Sequence, residues 1–392
     1  MKRIVSILAA LALALCLAIP AAGANAQRAV DAQSAGLKFK PDGTFKIIQV
    51  SDTQEFFFSS TITQDFLYDL AKNERPDLFV LTGDNVRSAD AKQHPAFFAK
   101  LFVRAGVENL MCAFDRIYRD FGIPMTMVYG NHDNEAGQDI VTRAEQFAMY
   151  ARHECFVGYY IPAADEGTED DQGQHYGTHN IVIKNSAGTA PAFNIWMFDS
   201  GAWDPRGGYS CVQRPQIDWF ESANDALGKL PSLAFQHIIV RDVLDFFGPG
   251  NTLPAGTQGE KRKNPGPSRY NEGQYAALNA AGNVLAVFSG HDHTNTFVLQ
   301  LPGTDIVNSP GTGFGSYGDV DLRGVRVITL DESDLSGYGT DTLHYMSYYG
   351  QGGLRQSRLE MYQARSTAAT LLDWMSFKPL LWLLGLFRVT NI

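Results

Sequence analysis

Five short polar clusters carry the residue types that could do chemistry: Asp52-Thr53-Gln54, Gly83-Asp84-Asn85, Gly130-Asn131-His132-Asp133, the single His237, and Gly290-His291-Asp292-His293. Carboxylate, amide oxygen and neutral imidazole are the donors that hard or borderline divalent ions take, and none of these clusters needs a thiolate. Asp52, Gln54, Asp84, Asn131, His237, His291 and His293 supply seven such groups. That set suits two ions sharing one carboxylate, with water at the remaining positions. Each cluster alone is weak evidence, since a lone Gly-Asp is ordinarily a turn and a lone His a satisfied core residue. Glycine ahead of three of them (Gly83, Gly130, Gly290) lets the backbone turn sharply and come close to a bound ion.

The elements between the clusters explain how they could meet. Residues 45–50 read as a strand after an Asp42-Gly43 turn. Ile62, Phe66, Leu67, Leu70 and Ala71 fall at helical spacing, and residues 78–81 form a short apolar strand. Val107, Leu110, Met111, Phe114, Ile117, Tyr118 and Phe121 mark a second amphipathic helix, ended by Gly122, and residues 125–128 a third strand. This β-α-β-α-β order implies parallel strands with helices packed outside. Further strands are expected at 180–184, 193–198, 233–235, 284–288, 296–301 and 325–330, separated by polar, glycine-rich loops at 165–177 and 249–273. Each polar cluster follows a strand, and open α/β sheets bind ligands beyond the carboxyl ends of their strands. One shared site is therefore expected.

The chain of 392 residues, 45% hydrophobic and 19% charged, has the balance of a globular protein. Its formal net charge of -10 argues against nucleic-acid binding, although bound metal ions could still attract a small phosphorylated substrate. Lys2 and Arg3, an apolar run to Ile19 and Ala24-Asn25-Ala26 read as an export signal over residues 1–26, cut before Gln27. The mature chain is then periplasmic or extracellular, with a lead-in at 27–44, a main domain at 45–332 that carries the polar clusters and a helical appendage at 333–392. The appendage holds an expected helix near 354–375 and an apolar run at 380–387, too short to span a bilayer. It either packs on the domain or makes peripheral membrane contact. Cys112, Cys155 and Cys211 remain after cleavage, allowing one disulfide or none. Cys112 is expected in the core.

Gly83-Asp84, Gly130-Asn131-His132-Asp133 and Gly290-His291-Asp292-His293, in this order, resemble the calcineurin-like metallophosphoesterase superfamily over roughly residues 45–331. Phe198-Asp199-Ser200-Gly201, Gln216-Ile217-Asp218-Trp219-Phe220, Ala234-Phe235-Gln236-His237 and the aromatic stretch from Gly311 to Gly318 resemble one branch of it. That branch contains purple-acid-phosphatase-like plant proteins and a fungal cell-cycle phosphatase. The resemblance implies a four-layer α/β/β/α sandwich. It implies that Asp52, Gln54 and His293 hold one ion, that Asn131, His237 and His291 hold the other, and that Asp84 bridges them. The ions would be manganese, iron or zinc. The family usually has Asp-x-His where this chain has Asp52-Thr53-Gln54, and an amide oxygen donates more weakly than imidazole. The proline often found two residues after the metal-binding histidine is here Ile239.

The activity so implied is phosphate-ester hydrolysis by a metal-bound hydroxide, with His132 as general acid and Asp133 orienting it or serving the structure. Its substrate would be a small phosphoester or a phosphoprotein. Lys261-Arg262-Lys263 is either a solvated charge run or an attractor of anions. The rival reading is a non-catalytic binding module with a weakened metal site. Replacement of His by Gln54 favours it, and retention of His132 counts against it.

Overall fold

The structure, a computed structural model, describes residues 36–55, 61–88, 96–137, 140–158, 177–314 and 316–350. The export signal expected at 1–26, and the helix and apolar run expected beyond residue 350, lie outside the described residues.

Strand β1 (Thr44–Val50) runs parallel to β2 (Leu78–Thr82), which runs parallel to β3 (Met125–Val128). The crossovers are helices α1 (Thr61–Glu74) and α2 (Ala96–Phe121), as the hydrophobic spacing predicts. Gly122 ends α2 in the left-handed conformation (φ 72°), its N–H donating to Tyr118 O. Helix α3 (Arg143–Ala151) follows, started by a reciprocal Thr142–Glu145 cap. The second half alternates β4 (His179–Lys184), β5 (Pro191–Met197), α4 (Arg214–Ala226), β6 (Ser232–Phe235), α5 (Gln274–Ala281), β7 (Val284–Ser289), β8 (Val298–Leu299) and β9 (Asp305–Asn308). The chain then returns to the first sheet as β10 (Gly324–Asp331) and β11 (Asp334–His344), followed by the short α6 (Tyr345–Tyr349). The sheet orders are β11-β10-β1-β2-β3 and β4-β5-β6-β7-β9-β8.

Side-chain alternation divides each central strand between two cores. Phe45 and Ile47 of β1 and Leu78 and Val80 of β2 point into the space between the sheets, where Phe193, Ile195, Leu233, Phe235 and Phe288 meet them. The intervening Ile48, Val50, Phe79 and Leu81 pack under α1 and α2 against Phe66, Leu70, Leu110 and Phe114. On the far side, Trp196, Ala234 and Val287 pack under α4 and α5 against Ile217, Phe220 and Leu278. Helix, sheet, sheet and helix therefore form the four layers of the expected sandwich. Burial on both faces is why these strands read as unbroken apolar runs.

Three local expectations need correction. Cys112 is exposed, because Met111 and Phe114 take the core-facing positions of α2 and Cys112 lies one step round the helix. It, Cys155 and Cys211 are not joined by disulfides. The strand expected at 296–301 shrinks to two residues, since Asn295 instead bridges Lys261 and Thr296 exchanges hydrogen bonds with Glu260 of the 249–273 loop. Finally, the first sheet continues past residue 332. Strand β11 pairs antiparallel with β10 where the sequence reading begins an appendage. No helix among the described residues is long and apolar enough to cross a membrane.

The core between the sheets gives a direct test of this layering. Phe235 is fully buried and stacks on Phe288 with ring centroids 5.1 Å apart. Phe235→Ala is expected to cost about 3–5 kcal/mol, seen as a lower urea midpoint at unchanged slope. An unchanged midpoint would contradict the placement.

Candidate metal centre

The five polar clusters emerge at the carboxyl ends of β1, β2, β3, β6 and β7. Three come from one sheet and two from the other. The backbone continues the sheet pairing into the site: Asp52 N–H donates to Gly83 O (3.0 Å), Gln54 N–H to Asp84 O (2.8 Å) and Gly290 N–H to His237 O (3.1 Å). Space here is minimal. A Cβ on Gly130 would lie 2.2 Å from Asp84 Oδ1, and one on Gly290 would lie 1.7 Å from Ser51 Oγ. Among the described residues, seven non-glycine positions take a positive φ, and four of them are expected ligands: Asp52 (57°), Gln54 (45°), Asp84 (51°) and His291 (69°). Such strain, held by the surrounding ladder, is characteristic of functional sites.

All seven expected ligands are buried, and they converge. Asp52, Asp84 and His293 place one donor atom each within 4.8 Å of one another. Asp84 Oδ1 lies 3.3 Å from His237 Nε2, which lies 3.2 Å from Asn131 Oδ1 and 3.3 Å from His291 Nδ1. Asp84 Oδ2 faces the other way, 3.4 Å from Gln54 Nε2. The outer hydrogen bonds fix the tautomers. His237 Nδ1 must donate to Thr82 O (2.8 Å) and His293 Nδ1 to Tyr317 O (2.7 Å), because a carbonyl only accepts. In the neutral rings both Nε2 atoms then present lone pairs, His237 toward Asp84 and Asn131, His293 toward Asp52 Oδ1 at 3.0 Å. Lone pairs facing lone pairs in a buried site call for cations between them. The residues present therefore fit two ions.

The same crowding governs titration, with a proton on His237 relieving its contact with Asp84 where an ion would otherwise do so. Burial works against charge on His237, yet the Asp84 carboxylate beside it pushes its pKa up to about 10. Burial, reinforced by the neighbouring His237, pushes His291 down to about 3. Burial would raise Asp52, but His293 opposes it strongly enough to hold the carboxyl below its ordinary range.

His132 stands at the edge of this cluster, partly exposed, with Nε2 3.8 Å from Asp84 Oδ2. Its Nδ1 faces Glu135 Oε2 at 2.7 Å. Against the desolvation that would lower it, that hydrogen bond and Asp84 raise the His132 pKa to about 9. Asp133 does not orient His132. Its carboxylate accepts from Gly130 N–H (2.6 Å) and Val86 N–H (2.9 Å), which braces the loop that carries Asn131. Glu135 was missed in the sequence. Its one signal was a carboxylate three residues after a histidine in a turn. The basic run divides: Arg262 is tied to Glu260, Asp319 and Asp321. Lys263 instead reaches the site, with Nζ 3.3 Å from the buried Asp292 Oδ1 and 3.2 Å from Tyr317 Oη. Tyr317 in turn stacks on His293 (centroids 3.9 Å, 10° between planes).

Comparison with known proteins finds relatives across most of the described chain. The chain is 26% identical to the Arabidopsis thaliana protein named probable inactive purple acid phosphatase 29 over 340 residues, covering 76% of this chain and 80% of that one. It is 28% identical to probable inactive purple acid phosphatase 28 of the same plant, over 78% of this chain and 79% of that one. It is 25% identical to phosphatase DCR2 of Saccharomyces cerevisiae, over 70% of this chain but only 48% of that one. The calcineurin-like phosphoesterase profile matches residues 45–295, which span every one of the five clusters, and the chain belongs to that family.

Proposed function

We propose that this protein hydrolyses phosphate esters with the help of two metal ions. The observation that carries the reading is the buried convergence of seven metal-type side chains, with Asp84 turning one oxygen toward each half of the cluster. Asp52, Gln54 and His293 would hold one ion, Asn131, His237 and His291 the other, with Asp84 shared; manganese, iron or zinc suits these donors. When bound, such a pair supplies Lewis-acid polarisation of the phosphoryl oxygens and an acidified water. The chain supplies the rest. His132, held by Glu135, offers its Nε2 proton to the departing alkoxide oxygen. Lys263, held by Asp292 and Tyr317, offers a cation to a phosphoryl oxygen. The substrate is a small phosphoester or a phosphoprotein, and the export signal read at residues 1–26 supports a reaction outside the cytoplasm.

A second reading, a binding module with an impaired metal site, is favoured by one contact. The Gln54 amide faces Asp84 through its nitrogen, a donor, so it meets an ion only with its amide turned over. The plant relatives' names accord with that reading, and the yeast relative's name accords with hydrolysis.

The purified mature chain, supplied with manganese, zinc or iron, is expected to retain about two ions per chain and to hydrolyse an activated aryl phosphate. Retained metal with no hydrolysis of any ester would support the binding module instead. His132→Ala is expected to keep the metals and to lose roughly a hundred- to ten-thousand-fold in kcat on an alkyl phosphate, with a smaller loss on a good aryl leaving group. Glu135→Gln should move both substrates in the same sense by less. Equal losses on the two substrates would remove His132 from the acid role. Gln54→His is expected to raise metal retention after dialysis, since imidazole is the stronger donor. Identical retention by the parent, Gln54→His and Gln54→Ala would exclude Gln54 as a ligand.

A further inference from the structure

Among the described residues three large apolar side chains are exposed: Phe98, Trp203 and Tyr317. Two of these three border the metal centre. Tyr317 covers the ring of His293. Trp203, 55% exposed, stacks nearly parallel on Tyr209 (centroids 4.9 Å, 24°), and Tyr209 packs edge-on against His291 (4.5 Å). An aromatic ring held at the rim of a buried polar site offers a flat apolar face to whatever binds there.

The segment that presents Trp203 is built to hold it still. Trp203 and Tyr209 are cross-strand partners in a tight hairpin. Asp204 N–H donates to Gly208 O (2.9 Å) and Ser210 N–H to Ala202 O (3.1 Å), closing it at both ends. Asp204 takes a two-pronged contact from Arg206 (2.8 and 2.9 Å), whose guanidinium lies over Tyr270 at 3.7 Å. Ser268 Oγ donates to Tyr209 O (2.8 Å) and ties the hairpin to the loop that carries Lys263. One face of the indole is spent on Tyr209, and the side chain is absent from all three hydrophobic cores. The arrangement is a rigid platform with a face left over.

We propose that Trp203 is a specificity-determining residue that stacks a planar ring system on the alcohol side of the substrate, so that the preferred phosphoester is a nucleoside phosphate. The inference rests on the phosphoesterase reading for the position of the phosphoryl group. Two successive ring contacts, His291–Tyr209 and Tyr209–Trp203, separate the indole from the metal ligands. A ring bonded directly to phosphate would stop short of it. A ring joined through a sugar spans the gap. Stacking tolerates any base, because every base offers a π-face. Lys263 would take the phosphate end of the same molecule.

The test compares two ligands with the same reacting end: adenosine 5′-monophosphate and ribose 5-phosphate, which carries an anomeric hydroxyl in place of the base. Binding to the manganese-loaded full chain is measured by calorimetry, and turnover is measured separately. The adenosine ester is expected to bind about tenfold more tightly, and Trp203→Ala to bring the two affinities close together. Trp203→Phe, which keeps a stacking face, is expected to preserve most of the difference. Equal affinity of the parent for the two ligands, or a preference that survives Trp203→Ala, would overturn the proposal. A base preference in binding without turnover of either ester would keep the platform and reject the hydrolytic reading. Turnover of both esters at equal kcat/KM and equal affinity would do the reverse.

Discussion

Two groups of lone pairs point at each other inside the protein, and most of the architecture exists to keep them there. Asp84, Asn131, His237 and His291 crowd one another at 3.2–3.3 Å, and Asp52 meets His293 at 3.0 Å. In a site of low dielectric such ends repel unless a proton or a metal ion lies between them, and an unpaired buried charge costs several kcal/mol. Nothing local would gather them. The force that does so is remote: the apolar faces of two sheets close on a common core and carry the strand ends along. The second ring of contacts, Thr82 O on His237 and Tyr317 O on His293, decides which nitrogen faces inward.

The same pressure explains the backbone. Asp52, Gln54, Asp84 and His291 turn inward directly after straight strands, and a left-handed residue is the shortest way to make that turn. A side chain there costs energy that glycine would avoid. Glycine itself is kept for the adjoining positions, Gly130 and Gly290, where no atom beyond the backbone fits. Ligand and glycine are thus neighbours because one must carry the donor and the other must make room for it.

The site was legible because its residues are polar interruptions in strands buried on both faces. Against Leu78–Thr82 or Met125–Val128, a following Gly-Asp or Asn-His is conspicuous. The layers were legible for the same reason. What escaped was whatever depends on a partner remote in sequence or on a tight turn. Strand β11 buries no residue and carries two glycines, so its Asp-Leu-Ser-Gly-Tyr-Gly-Thr run gave no apolar signal. Only the pairing with β10 makes it a strand. Glu135 rather than Asp133 meets His132 because the turn after β3 sends Asp133 back to Gly130 and Val86. The Trp203–Tyr209 stack needs a hairpin that Asp204 and Arg206 close, and no periodicity announces that. Cys112 was misjudged by one position on a helix whose core face is crowded with larger side chains.

The ligand set is divided between the two halves of the sandwich: Asp52, Gln54, Asp84 and Asn131 arrive on the first sheet, His237, His291 and His293 on the second. Ions bound across that seam would act as rivets. Each would resist separation of the layers, since the unfolded chain has no comparable set of donors assembled. Metal affinity and conformational stability then become one linked quantity. An ion present at a thousand times its dissociation constant contributes about 4 kcal/mol to holding the halves together. The free concentration of metal in the surroundings would then set how long the protein lasts.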